Sequence, residues 1–309
     1  MVNVRIFCTD LAGLRAQALG LAEAAGLEPD LRTVSFRRAW KNIPPALWPN
    51  PRWAVADLAD PLPGIVFGCG GAGSRIAAWD RRPGVKAVAI QHPRMAINRF
   101  DLVLAARHDG ITGDNVIVTR TALHRATPAR LAAERDIWAP RFAVQNRPLV
   151  ALLLGGSNGR YRFEAPLALE LGIQLGAVMD RSGAGLVVTP SRRTAPEVVN
   201  ILRDILEPRG AWIWDGQGDN PYFGMLACAD AIIATADSVS MVSEAVATSV
   251  PVLLVRLPGK SARIGAFMDA LIQDGRVRDF AGKLELWDTG PLDDTAMAGA
   301  ELRRRLGVG

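Results

Sequence analysis

A glycine-rich polar loop follows a strongly apolar stretch near the middle of the sequence. Residues 149–154 form an apolar run of strand length, and Gly155, Gly156, Ser157 and Arg160 lie within the next six residues. A loop of this kind, with free backbone N–H groups and a helix after it, is where α/β proteins bind phosphate. A tight turn that binds nothing is the structural alternative, because glycine also serves chain reversals.

Two more apolar runs of strand length end in polar residues that suit an anion. The run at 186–189 leads into hydroxyl and guanidinium groups, which hold phosphate well. The run at 231–236 leads into a predicted helix whose first N–H groups and dipole favour an anion. The candidate residues after these two runs are Ser191, Arg192, Arg193, Thr194, Asp237, Ser238, Ser240, Met241 and Glu244. Surface arginines and ordinary helix caps are the alternative explanations. Three strand ends on one sheet edge would form a single site for an anionic ligand.

The first half of the chain contains the candidates for proton transfer. Asp10 directly follows the first apolar run, where a carboxylate can act as a base in a cleft or cap the next helix. His92 and His108 each come just after a predicted strand, although a purely structural histidine is the commoner outcome. The glycine-rich stretch 68–75 ends another predicted strand and is a candidate lining of the same cleft.

Length and composition favour two domains and exclude several classes of protein. The 309 residues exceed the size at which one hydrophobic core usually stops growing. No stretch reaches the roughly 18 to 20 apolar residues of a membrane span, and no signal-peptide pattern opens the chain. We therefore expect a cytoplasmic protein. Three widely spaced cysteines indicate neither a disulfide framework nor a zinc cluster, and no paired-carboxylate motif predicts a metal ion.

Basic charge is concentrated in the first half. The net charge is +5, and the excess of basic groups lies within residues 1–140. Such an excess suits nucleic acid or an anionic membrane, or reflects a general preference for arginine. No zinc-finger, helix-turn-helix or RNA-binding aromatic pattern accompanies it, which argues against nucleic acid. The segment 40–53 places three tryptophans after Arg37 and Arg38, a composition that suits lipid headgroups; a loop fixed by buried tryptophans is the alternative.

Strand-like and helix-like stretches alternate along the chain, which predicts an α/β fold with parallel sheets covered on both faces. The alternation restarts after the proline-containing stretch 139–148, so we expect two Rossmann-like domains, 1–145 and 146–309, with the last predicted helix crossing back to the first domain. Open α/β sheets bind ligands beyond the carboxyl ends of their strands, so the two halves predict a cleft between them.

Several blocks of sequence together resemble the mitochondrial-fission (elongated-mitochondria) family of plants and bacteria. They run in order through nearly the whole chain: Asp10 with Gly13, residues 17–24, 91–94, 100–103, 108–109, 189–194, 214–216 with 220–222, and 237–244. The resemblance implies a divergent GT-B glycosyltransferase-like fold, with a nucleotide-sugar donor in the second half and the acceptor and base in the first. It implies that Glu244 lies near the ribose hydroxyls of the donor, with a solvated helix residue as the alternative. Asn220 and Tyr222 are candidates for the edge of the base pocket, and a simple helix start is the alternative.

The resulting hypothesis is an inverting glycosyltransferase that uses a nucleotide-sugar as substrate and needs neither a metal ion nor another cofactor. Asp10 or His92 would be the base, and the acceptor would be an envelope glycolipid or other membrane-linked molecule, with peripheral contact to the inner face of an anionic membrane. Two alternatives remain open. One is a nucleoside-diphosphate-sugar epimerase on the same fold, and the other is a non-catalytic protein associated with membranes or division.

Overall fold

The computed structural model describes residues 2–40, 42–56 and 62–308. The chain divides into two compact units, one of Met1–Arg125 with Asp293–Gly309 and one of Ala126–Leu292. The division precedes the helix at Pro128–Phe142, whereas the sequence placed it in the proline-containing stretch after that helix.

The first unit contains a six-stranded parallel sheet. Its strands are β1 (Asn3–Cys8), β2 (Glu28–Thr33), β3 (Ile65–Cys69), β4 (Lys86–Ile90), β5 (Leu102–Ala106) and β6 (Val116–Thr119), in the order β2-β1-β3-β4-β5-β6. The helices between them are α1 (Ala12–Ala24), α2 (Pro51–Ala54) and α3 (Gly70–Asp80).

The glycine-rich stretch 68–75 is needed for close packing between β1, β3 and α3. A Cβ atom on Gly73 would lie 2.1 Å from the carbonyl oxygen of Phe7, and one on Gly68 would lie 2.4 Å from that of Gly73. Glycine at these positions therefore lets the start of α3 rest directly on the sheet.

The second unit repeats the architecture. The helix α4 (Pro128–Phe142) comes first, and the sheet has the order β12-β11-β10-β7-β8-β9 with every pair parallel. The strands are β7 (Leu149–Leu154), β8 (Gly185–Pro190), β9 (Trp212–Ile213), β10 (Ala231–Thr235), β11 (Val252–Val255) and β12 (Val277–Asp279). The helices are α5 (Ala165–Ser182), α6 (Pro196–Leu206), α7 (Tyr222–Cys228), α8 (Val239–Val246) and α9 (Ala262–Gln273).

The central strands are apolar throughout because helices cover both faces of each sheet. All six residues of β7 are buried, and its odd- and even-numbered side chains enter two separate hydrophobic clusters. The predicted α/β fold with doubly covered parallel sheets is confirmed.

The last helix, α10 (Thr295–Leu306), packs within the first unit. A Cβ atom on Gly299 would lie 2.6 Å from the backbone of Ala24, so α10 approaches α1 closely. At its start, the Asp294 carboxylate accepts hydrogen bonds from the backbone and guanidinium of Arg120. Within the described ranges, no helix combines the length and the apolar character needed to cross a bilayer.

Candidate functional site

The three polar strand ends of the second unit lie side by side. Strands β10, β7 and β8 are adjacent and parallel, so their carboxyl ends share one edge of the sheet. This edge, which we call the β7 edge, consists of the loops after β10, β7 and β8. The predicted arrangement of the three crossings is therefore present.

The carboxylate of Asp237 joins these loops. It accepts hydrogen bonds from the Thr235 hydroxyl at 2.7 Å and from the Gly156 N–H at 3.4 Å, and the Arg193 Nη2 atom lies 2.8 Å away. The Gly155 N–H donates to the Thr235 hydroxyl at 2.7 Å. A buried carboxylate is stable only when it is paired in this way.

The expectation of free N–H groups is therefore wrong for Gly155 and Gly156. The N–H groups of both glycines bond within the protein, whereas the expected helix after the loop is present as α5, which begins at Ala165. A Cβ atom on Gly155 would lie 2.0 Å from Asp237 Oδ1, and one on Gly156 would lie 2.0 Å from the Arg193 carbonyl oxygen. The two glycines let three loops pack together.

The loop after β8 keeps one cation available. The Ser191 N–H and hydroxyl both bond to the Thr194 hydroxyl, at 2.9 and 3.1 Å, which closes a tight turn. Arg193 is engaged with Asp237. Arg192 is exposed, and in the described part of the chain its guanidinium forms no hydrogen bond or ion pair.

The remaining residues of the glycine loop turn toward another strand end. Ser157 bonds to the backbone of Phe163, and Arg160 donates from Nη1 to the Ser261 hydroxyl at 2.9 Å. The Lys260 N–H donates to the Arg160 carbonyl at 3.2 Å. The loop between β11 and α9 therefore borders the β7 edge, a contact that the sequence did not predict.

Helix α8 begins at the β7 edge. Its N-cap is Ser238, whose hydroxyl accepts the Met241 N–H at 3.3 Å, and its first turn includes Val239 and Ser240. Because first-turn N–H groups lack partners within their own helix and the helix dipole is positive there, this turn favours an anion.

Glu244, in the second turn of α8, is 7% exposed and accepts a hydrogen bond of 2.6 Å from the Tyr222 hydroxyl. Burial first, and then the neighbouring Glu244 carboxylate, raise the pKa of Tyr222 well above its ordinary value. The Asn220 side chain accepts the Tyr222 N–H at 3.0 Å and so fixes the start of α7. Tyr222 and Glu244 form one polar pair.

In the first unit, Asp10 lies in the loop after β1 with its side chain 62% exposed, 2.9 Å from Arg15 Nη1. It does not cap α1, because the N-cap is Leu11 and no side chain caps this helix. The alternative role of Asp10 as a helix cap is therefore wrong.

His92 lies in the loop after β4, where its Nδ1 atom accepts the Arg94 N–H at 2.9 Å. Gln91 and Arg94 both have positive φ, +72° and +57°, and the Gln91 side chain donates to that of Gln17 at 3.1 Å. Non-glycine residues with positive φ are uncommon and concentrate at functional sites. Gln17, Gln91 and Arg94 lie in the blocks 17–24 and 91–94 that carry the family resemblance, but residue type alone gave no sign of the left-handed backbone at Gln91 and Arg94.

The structure shows no metal site within residues 2–40, 42–56 and 62–308, where no three His, Cys, Asp or Glu side chains are grouped suitably.

A sequence model of the family described as Mitochondrial fission ELM1 matches residues 12–306. The Mitochondrial fission protein ELM1 of Arabidopsis thaliana is 35% identical over 274 residues, which cover 79% of this chain and 64% of that protein. The chain thus spans slightly less than two thirds of the length of this relative.

Solved structures share the fold at low sequence identity. UDP-GlcNAc 2-epimerase from Methanocaldococcus jannaschii, in complex with UDP-GlcNAc and UDP, has a TM-score of 0.55 with 12% identity, covering 99% of each chain. MurG from Acinetobacter baumannii has a TM-score of 0.51 with 14% identity, covering 99% of this chain and 90% of that one. The fold is that of GT-B glycosyltransferases and related epimerases.

Proposed function

The chain belongs to the mitochondrial fission ELM1 family, and from that premise we propose that its second unit binds a nucleotide-sugar at the β7 edge and that the protein transfers the sugar to an envelope or membrane-linked acceptor. The observation that supports this most directly is the meeting of three loops and the first turn of α8 at one sheet edge, beside the unpaired guanidinium of Arg192.

The diphosphate would lie against the first turn of α8 and Arg192. The glycine loop is unsuitable, because Asp237 and Thr235 already take the N–H groups of Gly155 and Gly156. The charge of this edge still favours an anion, since four cations stand against the carboxylates of Asp237 and Glu244: Arg160, Arg192, Arg193 and Lys260.

The pair of Tyr222 and Glu244 would bind the ribose. A carboxylate accepts two ribose hydroxyls well, and Tyr222 holds the Glu244 side chain in one orientation. The epimerase with the same fold is described as a complex with UDP-GlcNAc and UDP, so uridine nucleotides are the first ligands to test.

Transfer would invert the anomeric carbon without a metal ion. Asp10 is the candidate base, because its exposed carboxylate lies at the carboxyl end of β1 in the proposed acceptor-binding unit. The N–H groups of α8 and the guanidinium of Arg192 would stabilise the departing nucleoside diphosphate.

Calorimetry and thermal shift with UDP-, GDP- and CMP-sugars test the donor site. We expect Arg192→Ala to weaken binding about tenfold or more, the effect of removing one charge-assisted hydrogen bond. Arg181→Ala is the matched control, because Arg181 ends α5 before β8 and so lies at the opposite sheet edge. If neither nucleotide-sugars nor free nucleotides stabilise the wild-type protein, the donor site does not exist.

An epimerase is the second candidate, favoured by the shared fold with UDP-GlcNAc 2-epimerases. It would act on the donor alone. Incubating a UDP-sugar with the protein and no acceptor, and following the sugar protons by NMR, distinguishes the two activities: a new epimer identifies the epimerase, whereas transfer requires an acceptor.

A non-catalytic membrane-associated protein is the third candidate, favoured by an exposed surface in the first unit. Leu47 and Trp53 are 69% and 56% exposed, and the backbone of the exposed Arg37 bonds to the carbonyl of Ala54, the residue after Trp53. Exposed apolar side chains next to arginines suit an anionic lipid surface.

For Trp48 the alternative of a loop fixed by a buried tryptophan is confirmed, because Trp48 is 1% exposed, packs edge-on against Phe36 and donates to the Ile43 carbonyl. Only Leu47 and Trp53 are therefore proposed to contact lipid. Vesicles containing phosphatidylserine test the surface. We expect Leu47→Ala with Trp53→Ala to reduce binding, whereas Arg192→Ala leaves it unchanged. Equal binding by the double variant and the wild type would exclude this surface.

A further inference from the structure

The loop Gln91–Arg94, which follows β4 in the first unit, has a backbone that its side chains hold in an uncommon conformation. Gln91 and Arg94 are left-handed, at φ +72° and +57°. The Gln91 N–H donates to the Leu104 carbonyl, its side chain donates to that of Gln17, and the neighbouring Pro93 is buried. The loop is therefore fixed from both sides.

This geometry decides which nitrogen of His92 carries a proton. Nδ1 accepts the Arg94 N–H at 2.9 Å, and a ring nitrogen that accepts a hydrogen bond carries no hydrogen. In the neutral imidazole the hydrogen is then on Nε2. Within the described part of the chain Nε2 forms no hydrogen bond, and it is not a buried atom, so His92 presents an accessible Nε2–H donor.

Arg94 supplies a second donor two residues later. Its side chain is exposed and forms no ion pair or hydrogen bond with the described residues, while its backbone N–H holds the imidazole. A neutral N–H donor and a free guanidinium on one rigid loop are complementary to an oxyanion.

We propose that the loop Gln91–Arg94 is a binding site for a phosphate group, with His92 Nε2–H and the Arg94 guanidinium as its donors. This inference rests on the proposed function in one respect: in a transferase the phosphate belongs to the acceptor, such as a phosphorylated lipid or sugar. His92 then binds the acceptor as a hydrogen-bond donor, and it is not the base, because Nε2 already holds its proton. Asp10 remains the candidate base.

NMR of the full-length protein labelled with ¹⁵N-histidine tests the tautomer without any activity. His92→Asn assigns the His92 signals, since the chain has three histidines. We expect the Nε2–H tautomer in the neutral wild-type protein, and a shift of the Nε2 signals when inorganic phosphate or glycerol 3-phosphate is added. A response to glycerol 3-phosphate at lower concentration than to inorganic phosphate identifies a phosphomonoester as the ligand, and the reverse identifies free phosphate; both support an oxyanion site.

Three variants separate the donors from the loop that carries them. Isothermal titration calorimetry with inorganic phosphate compares the His92 variants, which lack the His92 signal. His92→Gln keeps an N–H donor near the position of Nε2 and should bind within about threefold of the wild type. His92→Asn keeps the acceptor for the Arg94 N–H but has no donor at the position of Nε2, and should weaken phosphate binding about tenfold. Arg94→Asn should weaken it similarly, because asparagine tolerates positive φ but carries no charge.

Three results would each overturn the proposal. They are the Nδ1–H tautomer in the wild type, no His92 shift with either phosphate, and full phosphate binding by His92→Asn. The same phosphate titration on Arg192→Ala distinguishes this site from the donor site, because the His92 shift should persist in that variant. A protein that binds no nucleotide but still shows the His92 shift would refute the proposed transferase and leave this site standing.

Discussion

The Nη2 atom of Arg193 lies 2.8 Å from the carboxylate of Asp237, whose side chain is completely buried while that of Arg193 is 41% exposed. The pair joins the loop after β8 to the loop after β10, and the Gly156 N–H brings in the loop after β7. The ion pair is therefore one of the contacts that hold the loops of this edge together, beside the hydrogen bonds of Thr235 and Thr194.

Removing the carboxylate of Asp237 should destabilise the second unit strongly. Asp237→Ala leaves the Thr235 hydroxyl and Gly156 N–H without their acceptor and opens a cavity, so we expect a loss of about 3 to 5 kcal/mol in the free energy of unfolding. Urea denaturation followed by circular dichroism measures it. Asp180→Ala is the control, because Asp180 is an exposed ion-pair partner, and its loss should be below about 1 kcal/mol. Equal losses would show that the pair does not hold the loops.

Alanine should be tolerated at Gly159 but not at Gly155 or Gly156. The added Cβ atom would lie 2.0 Å from Asp237 Oδ1 or from the Arg193 carbonyl oxygen, whereas at Gly159 it meets nothing within 4 Å. We expect each of the first two variants to lose about 1 to 3 kcal/mol or more, and Gly159→Ala to stay within about 0.5 kcal/mol of the wild type. Thermal and urea unfolding of the three proteins decide this, and comparable stability would contradict the packing explanation.

The sheet strands were predictable where they are apolar, and much less so where they are not. The predicted strand 149–154 matches β7, since burial on both faces demands a continuous apolar run. The edge strand β2 (Glu28–Thr33) is polar and has no apolar run of its own, because it is positioned by its pairing with β1. The three-residue edge strand β12 gave no signal.

The candidate site was predictable in place but not in detail. Parallel strands bring their carboxyl ends to one edge, so the meeting of the three loops follows from the strand assignments. The partners of the glycine N–H groups lie about 80 residues away, at Thr235 and Asp237, and no local pattern reports a contact at that separation. The sequence pattern also does not distinguish the buried Trp48, which packs against Phe36, from the exposed Trp53.

Tyr222→Phe should change stability in alkaline solution. Burial and Glu244 raise the pKa of Tyr222, so the native protein favours the protonated phenol. The stability that this preference contributes is present below the unfolded pKa of about 10, and it is lost as the pH rises through the higher pKa of the folded protein. The variant should be less stable than the wild type near neutral pH by about 1 to 3 kcal/mol, having lost the hydrogen bond to Glu244. The difference should shrink above pH 10. Unfolding by urea between pH 8 and 11 measures it, and a constant difference would refute the assignment.

The three cysteines should resist alkylation in the native protein. Cys8, Cys69 and Cys228 are buried, and burial raises the pKa of each thiol, so little of the reactive thiolate forms at neutral pH. Iodoacetamide at pH 8 should modify them slowly, with all three reacting rapidly once urea unfolds the chain. Mass spectrometry identifies the modified peptides. Rapid labelling of any of the three in the native protein would show that the chain around it opens readily.

Asp293→Asn should reduce the stability of the protein near neutral pH and make that stability depend less on pH in acid solution. Burial alone would raise the pKa of Asp293, but the nearby His124 imidazole, whose Nε2 atom lies 3.2 Å away, and the hydrogen bond from the Thr295 N–H lower it overall. A lowered folded pKa contributes stability above the unfolded value, near pH 4, and this contribution is lost as the pH falls toward the folded value. The loss in the variant should be about 1 to 3 kcal/mol at pH 7 and should shrink below pH 4. Asp204→Asn is the control, because Asp204 is exposed and should show neither effect. Urea unfolding from pH 7 to 3 measures both variants, and parallel pH profiles for Asp293→Asn and the wild type would rule out this role for the pair.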